Sequence, residues 1–535
     1  MKKLQSLITV VFVLIFSTVI AIPDTTHIWY HDDPTATGNM GISLTEAYQF
    51  AADKNLKANE VVVAVIDSGI DTAHVDLIGN LWVNKGEIPH NGVDDDKNGY
   101  VDDIHGWNFL GNEDGYCVEG ETLEQTRIYR EYKKRFAGKS KKEIAKEEKQ
   151  DFKEWLAIKK EFEKERLSAQ NALKNITLGL KAYDNSVEMI QKYLKKEEFT
   201  REEVESIKSE DERLQAAISF YLFPFGSEMS REDLVSAKEY YEEQVNKRLN
   251  VNYNPRKPVD DDVTNINDSL FGNNILYPEG SNHGTGVSGI LGAVRGNGIG
   301  LDGIAPNVKI MMIRVVPGGD EYDKDVALAI RYAVKMGAKI INCSFGKDYS
   351  PNKNFVDEAV RYAAVNDVLI VHASGNDGRN IDKGRNFPTK YLDNPAITAD
   401  NWIEVGASDK KEGLNLAAEF SNYGKEVDIF APGVDIFSTN VKSKFGFSDG
   451  TSDAAPVVSG VAALLLSYFP ELSAIELKSY IMQSGTDKSD VIVYLPNDYG
   501  KKKKTKFGKL SASGKIVNAY SALKLVYESQ QALRE

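Results

Sequence analysis

Seven consecutive residues, from Val61 to Asp67, constrain the fold of this chain more than any other segment. The first six are apolar and mostly β-branched, with no polar residue between them. Such a run is typical of a parallel strand that is buried on both faces. The strand ends in the carboxylate of Asp67, just before a turn at Gly69. Because open parallel sheets hold their sites at the carboxyl ends of their strands, Asp67 is a candidate site residue.

The rest of the chain alternates between strand and helix patterns. Helices are predicted at 326–336, 355–366, 454–469 and 518–533, and strands at 308–316, 339–344, 368–373, 402–407 and 427–430. Strands that alternate with helices indicate a doubly wound, mostly parallel sheet flanked by helices. The predicted fold class is therefore α/β.

A small polar turn, Gly450-Thr451-Ser452, leads into the apolar helix that begins near Ala454. This order places the Ser452 hydroxyl at a helix N-terminus, where unpaired N–H groups and the helix dipole favour developing negative charge. Such a position suits an oxygen nucleophile. The same pattern is also that of an ordinary N-cap.

Two further segments favour the catalytic interpretation. His283 begins a glycine-rich helix at 282–290, and Asn376 follows the strand that ends near Ala373. Taken together with Asp67 and Ser452, these segments supply a nucleophile, a base, a carboxylate that orients the base, and an amide donor for an oxyanion.

With four such segments in this order, the chain resembles the subtilisin-like serine proteases, the subtilase family, over about residues 55–112 and 265–525. The order Asp67, His283, Ser452 differs from that of chymotrypsin and of the α/β-hydrolases. The sedolisins also have a Gly-Thr-Ser segment but carry Glu in place of His, so His283 argues against them. The resemblance implies peptide-bond hydrolysis by Asp67, His283 and Ser452, with Asn376 as an oxyanion donor.

The resemblance also implies where a substrate binds. The segment Ser344, Phe345, Gly346 corresponds to the strand that pairs with the substrate backbone, and Ala373, Ser374, Gly375 to the wall of the primary specificity pocket. Carboxylates near this pocket, such as Asp377 at its rim, favour basic side chains in the substrate. They are equally consistent with the surface charge of an acidic protein.

One residue departs from the family pattern. Asp453 follows the predicted nucleophile, where the family usually has Met. Because Asp cannot form a sulfoxide, we expect activity to resist peroxide. A negative charge near His283 favours the imidazolium form, so we also expect the rate optimum to lie on the alkaline side of that of an Asp453→Met variant. The alternative is that Asp453 impairs catalysis.

An acidic loop after the first strand matches the beginning of a calcium-binding loop. The matching positions and the residue that follows them are Asp94, Asp96, Asn98, Tyr100 and Asp102. Carboxylate, amide and backbone oxygens suit Ca²⁺, and Gly99 permits the sharp turn. His105 stands where an EF-hand has its bidentate Glu, so Asp102 or Asp103 must complete the site. The loop predicts a structural calcium ion, with a metal-free acidic turn as the alternative.

A charged segment separates Asp67 from His283 by 216 residues. We assign residues 113–265 to this insertion; residues 121–250 hold 27 basic and 27 acidic residues, so the segment is net neutral. Capping-box patterns at Ser140 and Thr200, and helical spacing of apolar residues, predict amphipathic helices joined near 195–198 and 223–226. The insertion is expected to be a lid or docking module beside the cleft, or a solvated decoration.

The N-terminal sequence and the net charge of the chain limit where the protein is expected to be and what it is expected to bind. Residues 1–21 have the pattern of a cleaved signal peptide and residues 22–55 form a short leader, so the peptidase domain comprises 56–112 and 266–535. The predicted location is periplasmic or secreted, with no membrane span after signal removal. A net charge of −14 gives no nucleic-acid footprint. We expect a monomer, with the two cysteines unpaired.

The predicted function is that of an exported serine endopeptidase acting on proteins or peptides. The alternative is a catalytically impaired, subtilase-like binding protein that acts through its helical insertion.

Overall fold

A computed structural model describes residues 28–222, 231–382, 386–392, 397–497 and 502–534. The predicted signal peptide and the predicted helix junction at 223–226 lie outside these residues. The described strands, β1 to β15, are Val61–Asp67, Gly106–Asn108, Val308–Arg314, Ile340–Cys343, Leu369–Ala373, Tyr391–Leu392, Ile397–Thr398, Trp402–Ser408, Ile429–Pro432, Ile436–Asn440, Lys444–Ser448, Thr486–Asp487, Ile492–Tyr494, Lys504–Lys506 and Lys515–Ile516.

The described α-helices, α1 to α13, are Pro34–Thr37, Leu44–Asp53, Glu124–Phe136, Lys149–Leu194, Arg201–Glu205, Glu212–Leu222, Arg231–Glu243, Asn282–Gly292, Asp323–Lys335, Lys353–Val365, Thr451–Tyr468, Ala474–Ser484 and Ala519–Arg534. A π-helical turn, Gln244–Arg248, follows α7.

Nine strands form the central sheet, in the order β12-β15-β9-β8-β5-β4-β1-β3-β2. All neighbours in it are parallel except the edge pair β12 and β15. The predicted α/β class, with a mostly parallel sheet flanked by helices, is confirmed.

The packing of strand β1 explains why its sequence does not alternate between apolar and polar residues. Val63 and Val65 belong to the hydrophobic core that contains α8 and α11, whereas Ala64 and Ile66 belong to the core that contains α9 and α10. Because successive side chains point to opposite faces of a strand, both faces of β1 must be apolar. The strand therefore delivers Asp67 to the edge of a sheet that is covered on both sides.

The leader packs into the peptidase body. Trp29 and Tyr30 are fully buried in the α11 core, where their side chains donate hydrogen bonds to the carbonyls of Asp435 and Phe437, respectively. Helix α2 begins directly after Ser43, and the spacing of Ser43 and Glu46 predicts a capping box, but this prediction is wrong. Ser43 adopts a left-handed conformation, and its hydroxyl bonds to Asp33 Oδ2 at 2.8 Å. A tertiary partner thus replaces the local cap.

The insertion is helical, as predicted. Helix α4 has 46 residues and is about 69 Å long at 1.5 Å per residue. Its first half buries Trp155, Ile158 and Phe162 against α3, and Ile190 in its second half packs against Val204 and Leu214. The helix ends at Leu194, next to the predicted junction, and both predicted capping boxes form.

Buried ion pairs join the insertion to the sheet domain. Glu124, on α3, accepts from Arg127 at 2.6 Å and from Lys347 at 3.0 Å, and Lys347 lies 2.9 Å from Asp323. Arg127 also donates to the carbonyl oxygens of Asp320 and Glu321. Because breaking a buried pair leaves an uncompensated charge, this joint resists separation.

Candidate active site

The carboxyl end of β1 and the start of α8 bring Asp67 and His283 together. His283 Nδ1 lies 2.8 Å from Asp67 Oδ1, which also accepts from the Ser68 N–H at 2.6 Å. The start of α8 can pack closely against the chain after β1 because position 284 is glycine. A Cβ there would lie 2.2 Å from the Gly69 carbonyl oxygen. Since a carboxylate only accepts, the proton of the neutral imidazole is on Nδ1 and the Nε2 lone pair is left for other chemistry.

The charges around His283 determine its protonation. Burial opposes the imidazolium form, but the carboxylates of Asp67 and Asp453 outweigh it and raise the pKa of His283 to about 9. The imidazole is nevertheless 44% exposed and Asp67 is fully buried, so water screens one side of the pair. The ring therefore becomes a base only on the alkaline side of neutrality.

Ser452 lies in the first turn of α11, with its side chain partly exposed. The Ser344 hydroxyl donates to the Ser452 carbonyl at 2.8 Å and ties this turn to the end of β4. Ser452 and His283 line one cavity of about 720 Å³. Among the described residues, no direct hydrogen bond joins the Ser452 hydroxyl to the imidazole. Such bonds often tighten only when a substrate is bound.

Asn376 follows β5 and faces the same cavity. Its Oδ1 accepts from the backbone N–H and from the hydroxyl of Thr451, both at 2.9 Å. Since those two donors fix the oxygen, the Nδ2 group is directed away from Thr451 and has no acceptor among the described side chains and backbone. An amide held in this way is a preorganised donor.

The predicted substrate-binding residues also border the cavity. Ser344, Phe345, Gly346, Ala373 and Gly375 line it directly. Ser374 does not. It is fully buried, and its hydroxyl bonds to the Asn422 carbonyl. Five of the six residues thus line the same cavity as His283 and Ser452.

The insertion forms part of the wall of this cavity. Leu123, Gln125, Glu161, Glu165 and Ser168 line it from α4 and from the start of α3. The Tyr349 hydroxyl donates to Glu161 at 2.9 Å and so fastens α4 to the opposite wall.

A second cavity of about 530 Å³ shares His283 and Phe345 with the first. It is lined by Glu243, Lys247 and Arg248 at the end of α7 and its π-helical turn. The insertion therefore borders both cavities that His283 lines, which helix patterns in the sequence could not show.

Asp453 is buried in the first turn of α11, where its Oδ1 accepts from the Ser448 hydroxyl at 2.8 Å. Burial raises the pKa of Asp453 to about 6, against the opposing effects of Ser448 and His283. At neutral pH its charge therefore contributes to the raised pKa of His283, as the sequence led us to expect.

The acidic loop is folded, but its carboxylates divide into two groups. Asp94 accepts from the N–H groups of Asn98 and Gly99, and Asp102 from those of Asn91 and Gly92. Asp96 instead lies with Glu87 and Asp103, and each offers an oxygen within 4.8 Å of the others. Asn98 Nδ2 contacts the carboxylates of Asp96 and Asp103. Glu87 lies before the loop pattern begins, so sequence matching could not have included it.

Other polar residues stay apart from the site. His74 is buried and its Nε2 contacts the Lys444 carbonyl. Both cysteines are free, as expected.

A parallel α/β sheet with Asp, His, Ser and an oriented Asn at one edge defines the class of serine hydrolases with a subtilisin-like fold. The profile described as "Subtilase family" matches residues 58–501, and the chain belongs to that family.

Parts of this chain are similar to individual known proteins. Over 188 residues the chain is 40% identical to the thermophilic serine proteinase of Bacillus sp. (strain AK1), and the match covers 35% of this chain and 43% of that protein. It is 33% identical to subtilisin DY of Bacillus licheniformis, over 40% of this chain and 74% of that one. A solved protease structure from Pseudoalteromonas arctica is 26% identical, with a TM-score of 0.36, over 45% of this chain and 70% of that one. The chain thus spans less than half of the first relative and about three quarters of the second.

Proposed function

We propose that this protein is an exported serine endopeptidase. The observation that carries the proposal is the 2.8 Å contact between His283 and Asp67 beside a cavity that Ser452 and Asn376 also line. Family membership and relatives named as serine proteinases support it.

In the proposed reaction, Ser452 Oγ attacks the carbonyl carbon of a peptide bond while His283 Nε2 accepts the hydroxyl proton. Asp67 holds the ring and stabilises the imidazolium ion that forms. The oxyanion accepts from Asn376 Nδ2 and from the Ser452 N–H at the start of α11. His283 then passes the proton to the leaving amine. In the second half of the reaction water attacks the acyl group on Ser452 while His283 accepts a proton from the water, and His283 then returns that proton to Ser452 Oγ as the acid product leaves.

Labelling with a fluorophosphonate tests this function directly, because the reagent reacts with an activated serine. We expect the wild-type protein to be labelled and to cleave casein. Ser452→Ala should lose both properties without a change in thermal unfolding, whereas Ser479→Ala, on α12, should keep both. A well-folded wild-type protein that is neither labelled nor active would favour the alternative of a binding protein that acts through its insertion.

We also propose a structural calcium ion in the acidic loop. Carboxylate oxygens of Glu87, Asp96 and Asp103 converge, which suits a hard cation. From the sequence pattern, the Tyr100 carbonyl and the Asn98 side chain are further candidates, with Asp94 and Asp102 shaping the loop through their backbone contacts. A bound ion would fix the segment that follows β1 and stabilise the fold.

Export remains a proposal from residues 1–21 alone. Among the described residues, no helix combines the length and apolar character needed to cross a membrane. The monomeric state and the absence of nucleic-acid binding also remain predictions, to be checked by light scattering and by gel shift.

A further inference from the structure

A buried polar cluster outside the candidate triad is formed by Trp402, Glu404, His372 and Asn386. Through Asn386 it reaches the 720 Å³ cavity that Ser452 and His283 also line. Glu404, which is 4% exposed, accepts from Trp402 Nε1 at 2.8 Å and from His372 Nδ1 at 3.0 Å. It also accepts from Asn386 Nδ2 at 2.8 Å. The triad mechanism uses none of these residues, and buried polar groups of this kind are costly unless they are satisfied.

The cluster turns one side of the Asn386 amide toward the cavity. A carboxylate can only accept, so Glu404 must face the NH₂ group, and the amide oxygen faces the other way. Asn386 lines the cavity together with Gly346 and Gly375. A Cβ built on Gly346 would lie 3.2 Å from Asn386 Oδ1, and one built on Gly375 would lie 3.5 Å from it. The two glycines thus leave this acceptor oxygen uncovered.

His372 is a second polar residue of this cluster. Its ring is fully buried, and its Nε2 has no hydrogen-bond partner among the described residues. Nε2 would lie 3.9 Å from a Cβ on Gly346. The Asn386 oxygen is therefore the acceptor that borders the cavity, and the buried carboxylate of Glu404 fixes its orientation.

The described walls of the cavity carry more carboxylates than cations. The described lining includes five carboxylates, of Glu161, Glu165, Asp320, Asp348 and Asp377, against the cations of Lys164, Lys347 and Arg379. Lys347 is occupied by Glu124 and Asp323, and Arg379 by Asp348 and Asp377. Glu165, by contrast, faces other carboxylates: burial and the nearby charges of Glu161 and Asp320 raise its pKa.

We propose that Asn386 is a specificity-determining residue, and that the cavity takes a lysine or arginine side chain of the substrate at the residue that donates the cleaved carbonyl. This inference rests on the proposed peptidase function. A cationic side chain satisfies the Asn386 oxygen with a charge-assisted hydrogen bond, whereas an apolar one leaves it desolvated and unpaired.

A matched pair of peptides tests the proposal on the full-length protein. The peptides differ only at that residue, which is lysine in one and norleucine, of similar length but uncharged, in the other. We expect kcat/KM to favour lysine by about 10- to 100-fold, as for a hydrogen bond to a charged group. Asn386→Leu should cut that preference about tenfold or more, because the lysine peptide loses its acceptor and the norleucine peptide does not.

Two further variants separate this role from structural damage. In Glu404→Gln the new amide can donate to Asn386 as well as accept from it. The Asn386 amide can then rotate by 180° and no longer presents its oxygen to the cavity, so the lysine preference should fall here as well. Asn415→Leu, at an exposed position that does not line the cavity, should keep the wild-type preference. Labelling by fluorophosphonate shows in each case that the site is assembled.

The outcomes are distinct. A labelled wild-type protein that prefers norleucine, or an Asn386→Leu variant with an unchanged ratio, overturns the inference alone. A wild-type protein that is not labelled and cleaves neither peptide overturns the proposed function, and this inference with it.

Discussion

Thr451 holds the side chain of Asn376 through two hydrogen bonds to the same oxygen, one from its backbone N–H and one from its hydroxyl, each 2.9 Å long. The Thr451 hydroxyl also accepts from the Gly375 N–H at 3.1 Å. One side chain therefore sets both the direction of the Asn376 amide, the proposed oxyanion donor, and the position of the strand end beside it.

Removing that hydroxyl should loosen the oxyanion donor. We expect Thr451→Val, which keeps the shape of the side chain, to lower kcat about tenfold, the size of one hydrogen bond. Asn376→Leu should cost about 10²–10³, because the donor itself is lost. Steady-state kinetics on a peptide substrate measures both effects. Thr451→Ser, which retains the hydroxyl, should stay near wild type, and an equal loss in the Ser and Val variants would contradict this role.

Asp453 should shift the pH dependence of activity. The imidazole must be neutral to accept a proton, and its pKa of about 9 places the acidic limb of the kcat/KM profile on the alkaline side. We expect Asp453→Asn to move that limb to lower pH, because a charge that favours imidazolium is removed. The same profile for Asp490→Asn, at a site 93% exposed, serves as the control. Superimposable limbs in wild type and Asp453→Asn would argue against the effect.

The buried ion pairs under the insertion should make stability sensitive to acid. Burial raises the pKa of Glu124, but Arg127 and Lys347 overcome this effect and lower it to about 2, from an ordinary value of 4.5. A lowered carboxyl pKa contributes stability above pH 4.5, and that contribution is lost as the pH falls toward 2. We expect Glu124→Gln to lower the free energy of unfolding at pH 7 by about 3–5 kcal/mol.

Denaturant unfolding at several pH values checks this prediction. The variant should also lose the part of the pH dependence that lies between 4.5 and 2. Glu131→Gln, on the same helix but 58% exposed in its pair with Lys134, should change stability by about 1 kcal/mol or less. Similar losses in the two variants would mean that burial does not govern the contribution of Glu124.

Calcium removal should destabilise the fold if the acidic loop holds the ion. At a concentration about 100 times its Kd, a ligand adds about 2.7 kcal/mol, so calorimetry with chelator should give a lower Tm than calorimetry with calcium. Asp96→Asn should have a low Tm in both buffers, whereas Asp114→Asn, in the next loop, should respond like wild type. A wild-type Tm that is identical with and without chelator would remove the proposal.

The sequence predicted elements whose signals are local. The run at Val61–Asp67, the helix after Gly450, and the capping boxes at Ser140 and Thr200 all lie where their patterns place them. Each depends on neighbours within a few residues, so propensity and periodicity are sufficient.

Features that depend on distant partners were missed or misjudged. Ser43 bonds to Asp33 instead of capping its helix, and Glu87 joins Asp96 across a turn. The position of Glu161 in the cavity wall depends on how α4 packs against Tyr349, which no helix pattern encodes. Asn386 gave no signal because its role arises from a buried carboxylate that lies 18 residues further along the chain.

The contact between Asp67 and His283 closes a loop of 216 residues, most of which belong to the insertion. The entropy of loop closure rises by only about 0.6 kcal/mol for each doubling of length. The length of chain between these two motifs is therefore nearly neutral in energy, provided that the inserted segment folds by itself and docks on the cleft rim. In an evolutionary lineage, or in an engineered series, this connection is a place where one module can be exchanged for another. Such an exchange should alter which polypeptides reach the proposed nucleophile, Ser452, and leave the sheet beneath it unchanged.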